Sequence, residues 1–268
     1  MTTSTHHIVR TALAVGITLT ASCARAQAFD AVRLHAAPPG KDGGAIGAVV
    51  IAGTQYQGSE DRRTLVLPVL DYQWASGWFA GFTNGLGVNL SASPQMQYGL
   101  RITADLGRKE DSSNALRGMG NVKAKAEGGA FFNYPFAQGF ALSSSLRYGS
   151  GQEGKGMVLD LGAGYSTPLA SQWRLGAGTS LTMANADYLQ SYFGVTAAQS
   201  ASSGYAAYTP KAGIRDVRAS ASLIYAFDMR TRITSVVSVS SLLGDAKDSP
   251  LTTQATTASA VVAVSYAF

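Results

Sequence analysis

The sequence predicts an all-β fold, a closed antiparallel transmembrane β-barrel of about 12 strands, with 10 strands as the alternative. Apolar residues recur at every second position through most of the chain, as in strands that have two different faces. The alternating segments run about 10 to 13 residues, close to the length a tilted strand needs to cross a bilayer. The 30 Gly, 8 Pro and charged fraction of 14% favour many strands over helices.

The first residues are typical of a secretory signal peptide. The apolar stretch "TALAVGITLT" follows a weakly basic start and ends in small residues, which predicts a signal peptide at 1–26 with cleavage after Ala26. Processing at a lipidated Cys23 is the alternative. Removal of 1–26 takes Arg10 and Arg25 and lowers the formal net charge from +5 to +3. The remaining charges alternate in sign and form no basic block, so no nucleic-acid partner is expected.

The mature part, 27–268, is then predicted to be one barrel. Its last strand shows the pattern most clearly, because Val262, Val264, Tyr266 and Phe268 share one face, which we expect to contact lipid. Tyr266 and Phe268 are therefore the predicted signal for the barrel-assembly machinery. Strands are predicted at 28–36, 44–56, 64–74, 78–90, 95–107, 120–134, 139–150, 156–167, 173–186, 215–227, 230–242 and 256–268.

The second face of these strands carries full charges. A dry core would not accept such groups unpaired, whereas a lumen that holds water and opposite charges would. The charges in question are Arg101, Asp105, Lys123, Lys125, Glu127, Arg147, Asp160 and Arg218. Aromatic residues near strand ends predict girdles at the two membrane interfaces, in contact with outer-membrane lipid and lipopolysaccharide. They are Trp74, Trp78, Tyr134, Trp173, Phe227 and Phe268.

Link lengths predict the orientation of the barrel, since periplasmic turns are short and extracellular loops are long. With the C-terminal strand ending on the periplasmic side, the short links become periplasmic and the long links extracellular. The short links are 91–94, 135–139, 168–172 and 228–229, and the long ones are 108–120, 149–156, 187–214 and 244–254. The polar link "QGSEDRR" (57–63) departs from this trend, because the strand count places it in the periplasm.

No catalytic residue, cofactor or metal site is predicted. "GSGQEGKG" (149–156) resembles a phosphate-binding loop, but Gly156 stands where Ser or Thr is required and a strand follows, so a hairpin loop is expected. His35, the single histidine after the signal peptide, is the one position on which a hydrolase would be centred. The acidic clusters of the links are interpreted as solvating groups, with divalent-cation binding as the alternative.

The link at 185–208 is far longer than a hairpin requires, and it is rich in aromatic residues. It is expected either to fold over the barrel mouth as a lid or to offer an aromatic surface to a partner. A self-packed loop with no partner is the third reading.

Four stretches resemble motifs of the MipA/OmpV family of outer-membrane proteins. They are "YQGSED" (Tyr56–Asp61), "LRGMG" (Leu116–Gly120), "YLQSYFGV" (Tyr188–Val195) and "LLGDAKDSP" (Leu242–Pro250). The resemblance runs from about residue 44 to the C-terminus. It implies a barrel with no catalytic residues, described as a scaffold that brings a murein-degrading lytic transglycosylase together with a murein synthase.

The resemblance and the link positions together give a set of candidate contacts for a partner. They are Tyr188, Gln190, Tyr192, Phe193, Tyr56, Glu60, Asp61 and Arg62. Residues 57–63 and the short turns are the better candidates for a contact with a murein enzyme, because the strand count places them in the periplasm. The predicted function is thus a non-enzymatic outer-membrane scaffold, with a narrow channel for small solutes as the alternative and an outer-membrane hydrolase as the third hypothesis.

Overall fold

The computed structural model of the protein describes residues 40–93 and 95–268. Within this part of the chain twelve antiparallel strands form a closed barrel, in which β12 pairs with β1 and all other neighbours follow sequence order. The strands are β1 (Gly43–Thr54), β2 (Arg62–Gln73), β3 (Trp78–Gly81), β4 (Gly85–Asn89), β5 (Gln97–Asp105), β6 (Lys125–Ala137), β7 (Phe140–Ser150), β8 (Gly156–Pro168), β9 (Trp173–Ala184), β10 (Gly213–Ala226), β11 (Thr231–Leu242) and β12 (Thr256–Ala267). The predicted fold class is confirmed, with twelve strands rather than ten. The signal peptide, Cys23, His35 and the strand predicted at 28–36 lie outside the described residues.

The last strand has the two faces that its alternation predicts. Val262, Val264 and Tyr266 are 42–46% exposed on the outer surface, whereas Val261 and Ala263 are buried inside. The backbone N–H of Gly44 donates to the Phe268 carbonyl at 2.9 Å, and the Phe268 N–H donates back at 3.0 Å. The first and last strands are therefore joined by an antiparallel hydrogen-bond ladder, like the other neighbouring strands of the barrel.

The prediction of one long strand at 78–90 is wrong. Residues 82–84 form a turn that divides this stretch into β3 and β4, and Gly85 adopts a φ of 77° that favours glycine. At Gly81 a Cβ would collide with the Asp71 carboxylate, so only glycine fits beside it. This stretch therefore contributes two strands instead of one, which brings the number of described strands to twelve. The barrel formed by these twelve strands closes without a strand at 28–36.

This division reverses the directions predicted for the first two strands of the wall. The link between β1 and β2 lies at the end of the long loops, where Glu60 N–H donates to Thr253 Oγ1 at 3.0 Å and Tyr56 OH donates to the Leu251 carbonyl at 2.9 Å. The prediction that 57–63 lies with the short turns is therefore wrong. Lys123 is also not in a strand, because β6 begins at Lys125.

The six aromatic residues predicted to form girdles are all exposed, by 39–57%, and all lie at the end of the short turns. The prediction of girdles is thus correct for one interface, and these residues do not supply the second. Neighbouring rings touch around this belt, for example Tyr72 and Phe268 with centroids 6.2 Å apart and Trp173 and Tyr225 with centroids 4.6 Å apart. An aromatic belt at this end is expected to lie at the level of the lipid headgroups.

The long loops carry the helical segments of the described chain. They are α1 (Ala186–Phe193), α2 (Ala197–Ser203), α3 (Gly244–Lys247) and two short 3-10 turns, Glu110–Ser112 and Asn114–Leu116. In the described part of the chain, these helices are too short or too polar to span a bilayer. All of them lie at one end of the barrel, over its mouth.

Candidate functional site: a capped polar lumen

One side of the lumen is a charged wall built by β5 to β9. The Arg147 guanidinium on β7 lies 2.8 Å from Asp160 on β8 and 3.5 Å from Glu127 on β6. Asp160 also accepts a hydrogen bond from Thr182 Oγ1 on β9 at 2.8 Å, and Arg101 on β5 donates to Ser145 Oγ at 2.7 Å. Pairing runs from strand to strand along the wall, so most of these charges are neutralised beside their neighbours.

A β-bulge places two consecutive charges inside the barrel near its capped end. The register of β9 against β10 shifts between Ile214 and Asp216, and both Arg215 and Asp216 are buried. An alternating strand would send one of them to lipid, and the bulge prevents this. Arg215 Nε lies 2.6 Å from Asp216 Oδ2, and Arg215 Nη1 donates to Tyr188 OH at 2.9 Å. The pair thus ties the wall to α1.

The first helix of the long loop, α1, closes the mouth of the barrel with its apolar face. Its start is fixed by Asn185, whose side-chain oxygen accepts from the Tyr188 N–H at 3.0 Å. Leu189 and Phe193 are each 1% exposed. They pack in a cluster with other residues of α1 and with residues of β8, β9, β11, α3 and the loop before β6, namely Val122, Val158, Ala184, Tyr188, Tyr192, Leu242 and Ala246. The cluster is a small hydrophobic core above the lumen.

Polar contacts hold this core to the charged wall beneath it. Arg108, which is 2% exposed, donates to the Tyr192 carbonyl at 2.7 Å, and Tyr192 OH donates to the Asp105 carboxylate at 2.5 Å. The Tyr188 and Tyr192 rings also touch, with centroids 4.7 Å apart. Aromatic residues of α1 therefore face the lumen with their hydroxyl groups and the core with their rings.

A second layer of loops covers α1. The helix α2 begins with a capping box formed by Thr196 and Gln199, and Gln199 Nε2 donates to the Met119 carbonyl at 2.7 Å. Met119, Val195 and Leu251 form a second buried cluster. Tyr56 is 2% exposed beside it, and burial raises the pKa of its hydroxyl. We call the two clusters and the loops that carry them, 106–124, 185–212, 243–255 and 55–61, the cap.

Below the cap lies a cavity of about 700 Å³. Its lining runs from Tyr188 and Tyr192 under the cap to Gly139 and Arg232 near the short turns. The charged wall forms one side of it. On the opposite side of the barrel interior, inward residues of β2, β1, β12 and β11 pack against one another in a cluster of their own, of which Val236 borders the cavity. The cluster is made of Val49, Ile51, Val69, Val236, Val261 and Ala263. We call this cluster, with Leu65 and Leu67 packed against it, the inner apolar patch.

The candidate contact residues fall into two groups in the structure. Tyr188, Tyr192 and Phe193 are buried in the cap and Gln190 is half-buried, which matches the lid interpretation of their loop. Tyr56 is buried too, whereas Glu60, Asp61 and Arg62 are exposed at the cap end. Their fixed contacts lie within the cap or the wall, since Asp61 accepts from Ser113 Oγ at 2.6 Å and Arg62 donates to the Ala258 carbonyl at 2.6 Å.

Two further sequence interpretations have clear places in the structure. Residues 149–156 join β7 to β8 as a hairpin loop, which confirms that reading over a phosphate-binding loop. Tyr266 and Phe268, the predicted assembly signal, point outward at the short-turn end. The buried ion pair of Arg215 and Asp216 was missed, although two adjacent charges in "GIRDVR" interrupt the alternation and are a signal of a bulge.

Comparisons with known proteins give a family and a fold. Residues 46–268 match the family model described as MltA-interacting protein MipA. The barrel is similar to the NanC porin, with 13% identity and a TM-score of 0.44 over 82% of this chain and 98% of that one. It is also similar to the COG4313 outer membrane channel from Pseudomonas putida F1, with 11% identity and a TM-score of 0.45 over 87% of this chain and 97% of that one. No curated protein sequence matches the chain.

Proposed function

Since the chain belongs to the MipA family through residues 46–268, we propose that this integral outer-membrane barrel is a non-enzymatic scaffold. The family description names an interaction with MltA. We infer that the partner here is a murein-degrading lytic transglycosylase, brought together with a murein synthase. Murein lies in the periplasm, so the partner docks on the face formed by the short turns.

The observation that carries this proposal is the packed cap. Leu116 and Ala246 are fully buried in it and Phe193 is 1% exposed, as in the core of a soluble domain. These packed side chains lie above Tyr188 and Tyr192, at the cap end of the cavity. A barrel that is closed outside and rigid inside is suited to hold a periplasmic partner at the membrane rather than to pass solutes through.

The turn between β10 and β11 is the best-defined contact surface on the periplasmic face. The Asp228 carboxylate accepts from the backbone N–H groups of Arg230 and Thr231 at 2.6 and 2.7 Å, and these bonds lower its pKa. Arg230 in turn donates to Tyr266 OH at 3.1 Å. Met229 is held between them and is 98% exposed. A fixed turn that presents an apolar side chain flanked by opposite charges resembles the centre of a protein interface.

A photocrosslinking experiment in intact cell envelopes tests the proposal. A p-benzoylphenylalanine at position 229 is expected to capture a lytic transglycosylase, because it stands on the periplasmic face. The same group at position 60 is the matched control, since Glu60 is exposed at the opposite end. Capture of the same enzyme from both positions, or of no murein enzyme from position 229 and the other short turns, would refute the scaffold.

A narrow channel is the second candidate, and the cavity of about 700 Å³ favours it. Passage of ions or solutes along the barrel axis would require the cap to move. Purified protein in a planar bilayer should therefore be silent if it is a scaffold, and should show steady single-channel currents if the cap opens spontaneously.

A further inference from the structure

The wall of the barrel is incomplete on one side, beside the short hairpin. On its β3 side, β2 pairs through Asp71, Tyr72 and Gln73. Its other nine residues, 62–70, pair with β1 as the strand approaches the cap. On the β3 side they pair with no strand among the described residues, and they form a single backbone bond there, at Leu70. On the far side of the hairpin, β4 pairs with β5 as far as Ile102. We call the gap above the hairpin, between residues 62–70 and 103–106, the notch.

The geometry of the hydrogen bonds shows which backbone groups face the notch. The Leu70 carbonyl accepts from Phe82 N–H at 3.1 Å, so Leu70 points its backbone groups toward β3. Alternate residues of a strand point the same way, and Thr64, Val66 and Pro68 therefore also face this side. In the described part of the chain, no backbone hydrogen bond on that side is formed by Thr64 or Val66.

Pro68 is independent support for the notch from the sequence. Proline has no N–H to donate, and within sheets it is found at edges, at strand starts and at bulges. Pro68 lies in the middle of a twelve-residue strand, and its nitrogen faces the first position beyond the hairpin. A complete wall would lose a ladder bond there, whereas an unpaired edge loses nothing.

The notch lies at the depth of the membrane. Val66 is 65% exposed on the outer surface, in one row of the sheet with Val50 and Val262, which are also apolar and exposed. Unpaired backbone groups are very unfavourable in hydrocarbon and are tolerated at this depth only where they line a hydrated cavity or are covered by protein. A notch that connects with the lumen supplies the N–H groups of Thr64 and Val66 with water.

The lining of the lumen supports this connection. The cavity reaches Thr83 and Asn84 at the tip of the hairpin and Ala104 and Leu106 on the β5 side of the notch. On the β2 side the inner apolar patch is buried in its middle, but it is half-exposed at Leu65 and Leu67, on the strand that borders the notch. Two half-exposed apolar side chains, Leu65 and Leu67, therefore lie on the inner side of the strand that borders the notch.

We propose that the notch is a lateral portal through which small amphiphiles pass between the outer leaflet and the lumen. The ligand class is an apolar chain or ring with one polar end. Its apolar part lies against the half-exposed Leu65 and Leu67 beside the notch, and its polar end lies toward polar side chains of the cavity, such as Thr83 and Arg101. Because the cap closes the outside and the cavity continues to the short turns, the portal joins the bilayer to the periplasm. The scaffold role does not depend on this portal.

Photolabelling with a long-chain fatty acid that carries a diazirine near its chain end tests the portal. In vesicles that contain the full mature protein, we expect labels on the outer surface and also on Leu65 and Leu67, which face inward. Ala104→Trp places a large ring at the outer opening of the notch, on its β5 side, and should remove the inward labels. Leu100→Trp is the matched control, because Leu100 lies on the same face of β5 but opposite Val88 of β4, where the wall is complete.

The outcomes separate the portal from other routes and from other ligands. Inward labels that persist in Ala104→Trp would show entry through the periplasmic mouth, and labels confined to outward side chains would show a sealed wall, so either result overturns the proposal. A phosphatidylcholine with the same diazirine distinguishes the source, since its appearance on Leu65 or Leu67 means that bilayer lipid enters as well as free amphiphiles.

Hydrogen exchange gives a second readout that needs no substitution. The amides of Thr64 and Val66 face the notch and should exchange rapidly, whereas those of Leu65 and Leu67 face β1 and should be protected. Protection of Thr64 and Val66 in the isolated protein would mean that the edge is paired, and would overturn the portal. Capture of a polypeptide by a photocrosslinker at Val66 in cell envelopes would assign the edge to a partner strand instead, and would also overturn it.

Discussion

The closed cap makes a direct prediction for Phe193. This side chain is 1% exposed in the centre of the cap, and Ser249 Oγ donates to its carbonyl at 2.6 Å, which fixes the end of α1 against the loop after α3. Phe193→Ala removes the ring and keeps the backbone contact. The ring belongs to the cluster that joins α1 to Val158, Ala184 and Leu242 of the wall, so the loss of packing falls where the cap meets the wall.

The size of the effect follows from the burial of the ring. Replacing a fully buried Phe by Ala destabilises a core by about 3–5 kcal/mol, through the lost transfer free energy and the cavity left behind. A factor of ten in an equilibrium corresponds to about 1.4 kcal/mol, so the open form of the cap should rise by about two to three and a half orders of magnitude. The hydrogen-bond ladders of the barrel wall should stay unchanged.

Single-channel recording in planar bilayers measures this opening. The unmodified protein is expected to be silent, and Phe193→Ala to show brief currents. Phe136→Ala is the matched control, because Phe136 is 51% exposed on the outer surface and its loss leaves the cap intact. Silent bilayers with Phe193→Ala, combined with unchanged resistance of the cap to external protease, would refute the claim that this core closes the lumen. Steady currents from the unmodified protein would refute it as well.

The remaining predictions concern the buried pair, the cap hydroxyl and the terminal strand. Arg215→Ala leaves Asp216 buried without its partner and should lower the free energy of unfolding by about 3–5 kcal/mol, while Arg215→Met with Asp216→Asn should cost less, as measured by denaturant titration; an equal loss in both would contradict this account. Tyr56→Phe removes the bond to Leu251 and should destabilise the cap by about 1 kcal/mol in hydrogen exchange. Because burial raises the pKa of Tyr56 above its value in the unfolded chain, its contribution is present below about pH 10 and is lost as pH rises further; the Phe variant should lack this loss above pH 10. Removal of Phe268 deletes its two bonds to Gly44 and should reduce the heat-modifiable, folded fraction in the outer membrane, whereas full assembly without it would refute its role as an assembly signal.

The strands were largely predictable because lipid on one side and water on the other impose a period of two. Ten of the predicted segments overlap single strands of the described wall, and the outward direction of Val264 and Tyr266 follows directly from the alternation. The cap was not predictable in the same way. Its helix α1 has eight residues, and Leu189 and Phe193 become a core only through contacts with strands and loops far away in sequence.

Alternation of apolar residues also does not reveal whether the edge of a strand is paired. For this reason the division of 78–90 into two short strands was not predicted, and residues 57–63 were placed at the wrong end of the barrel as a consequence. Two local signals carry that information. Asn84-Gly85 is a strong hairpin signal, and Pro68 marks an edge in the middle of an otherwise regular strand. Taken together they predict a hairpin that is too short to cover β2. They also add the strand that makes the count even without 28–36, which moves 57–63 to the cap. The same two signals that correct the topology also border the notch, because a hairpin that ends early needs a turn sequence at its tip and leaves the neighbouring strand without a partner.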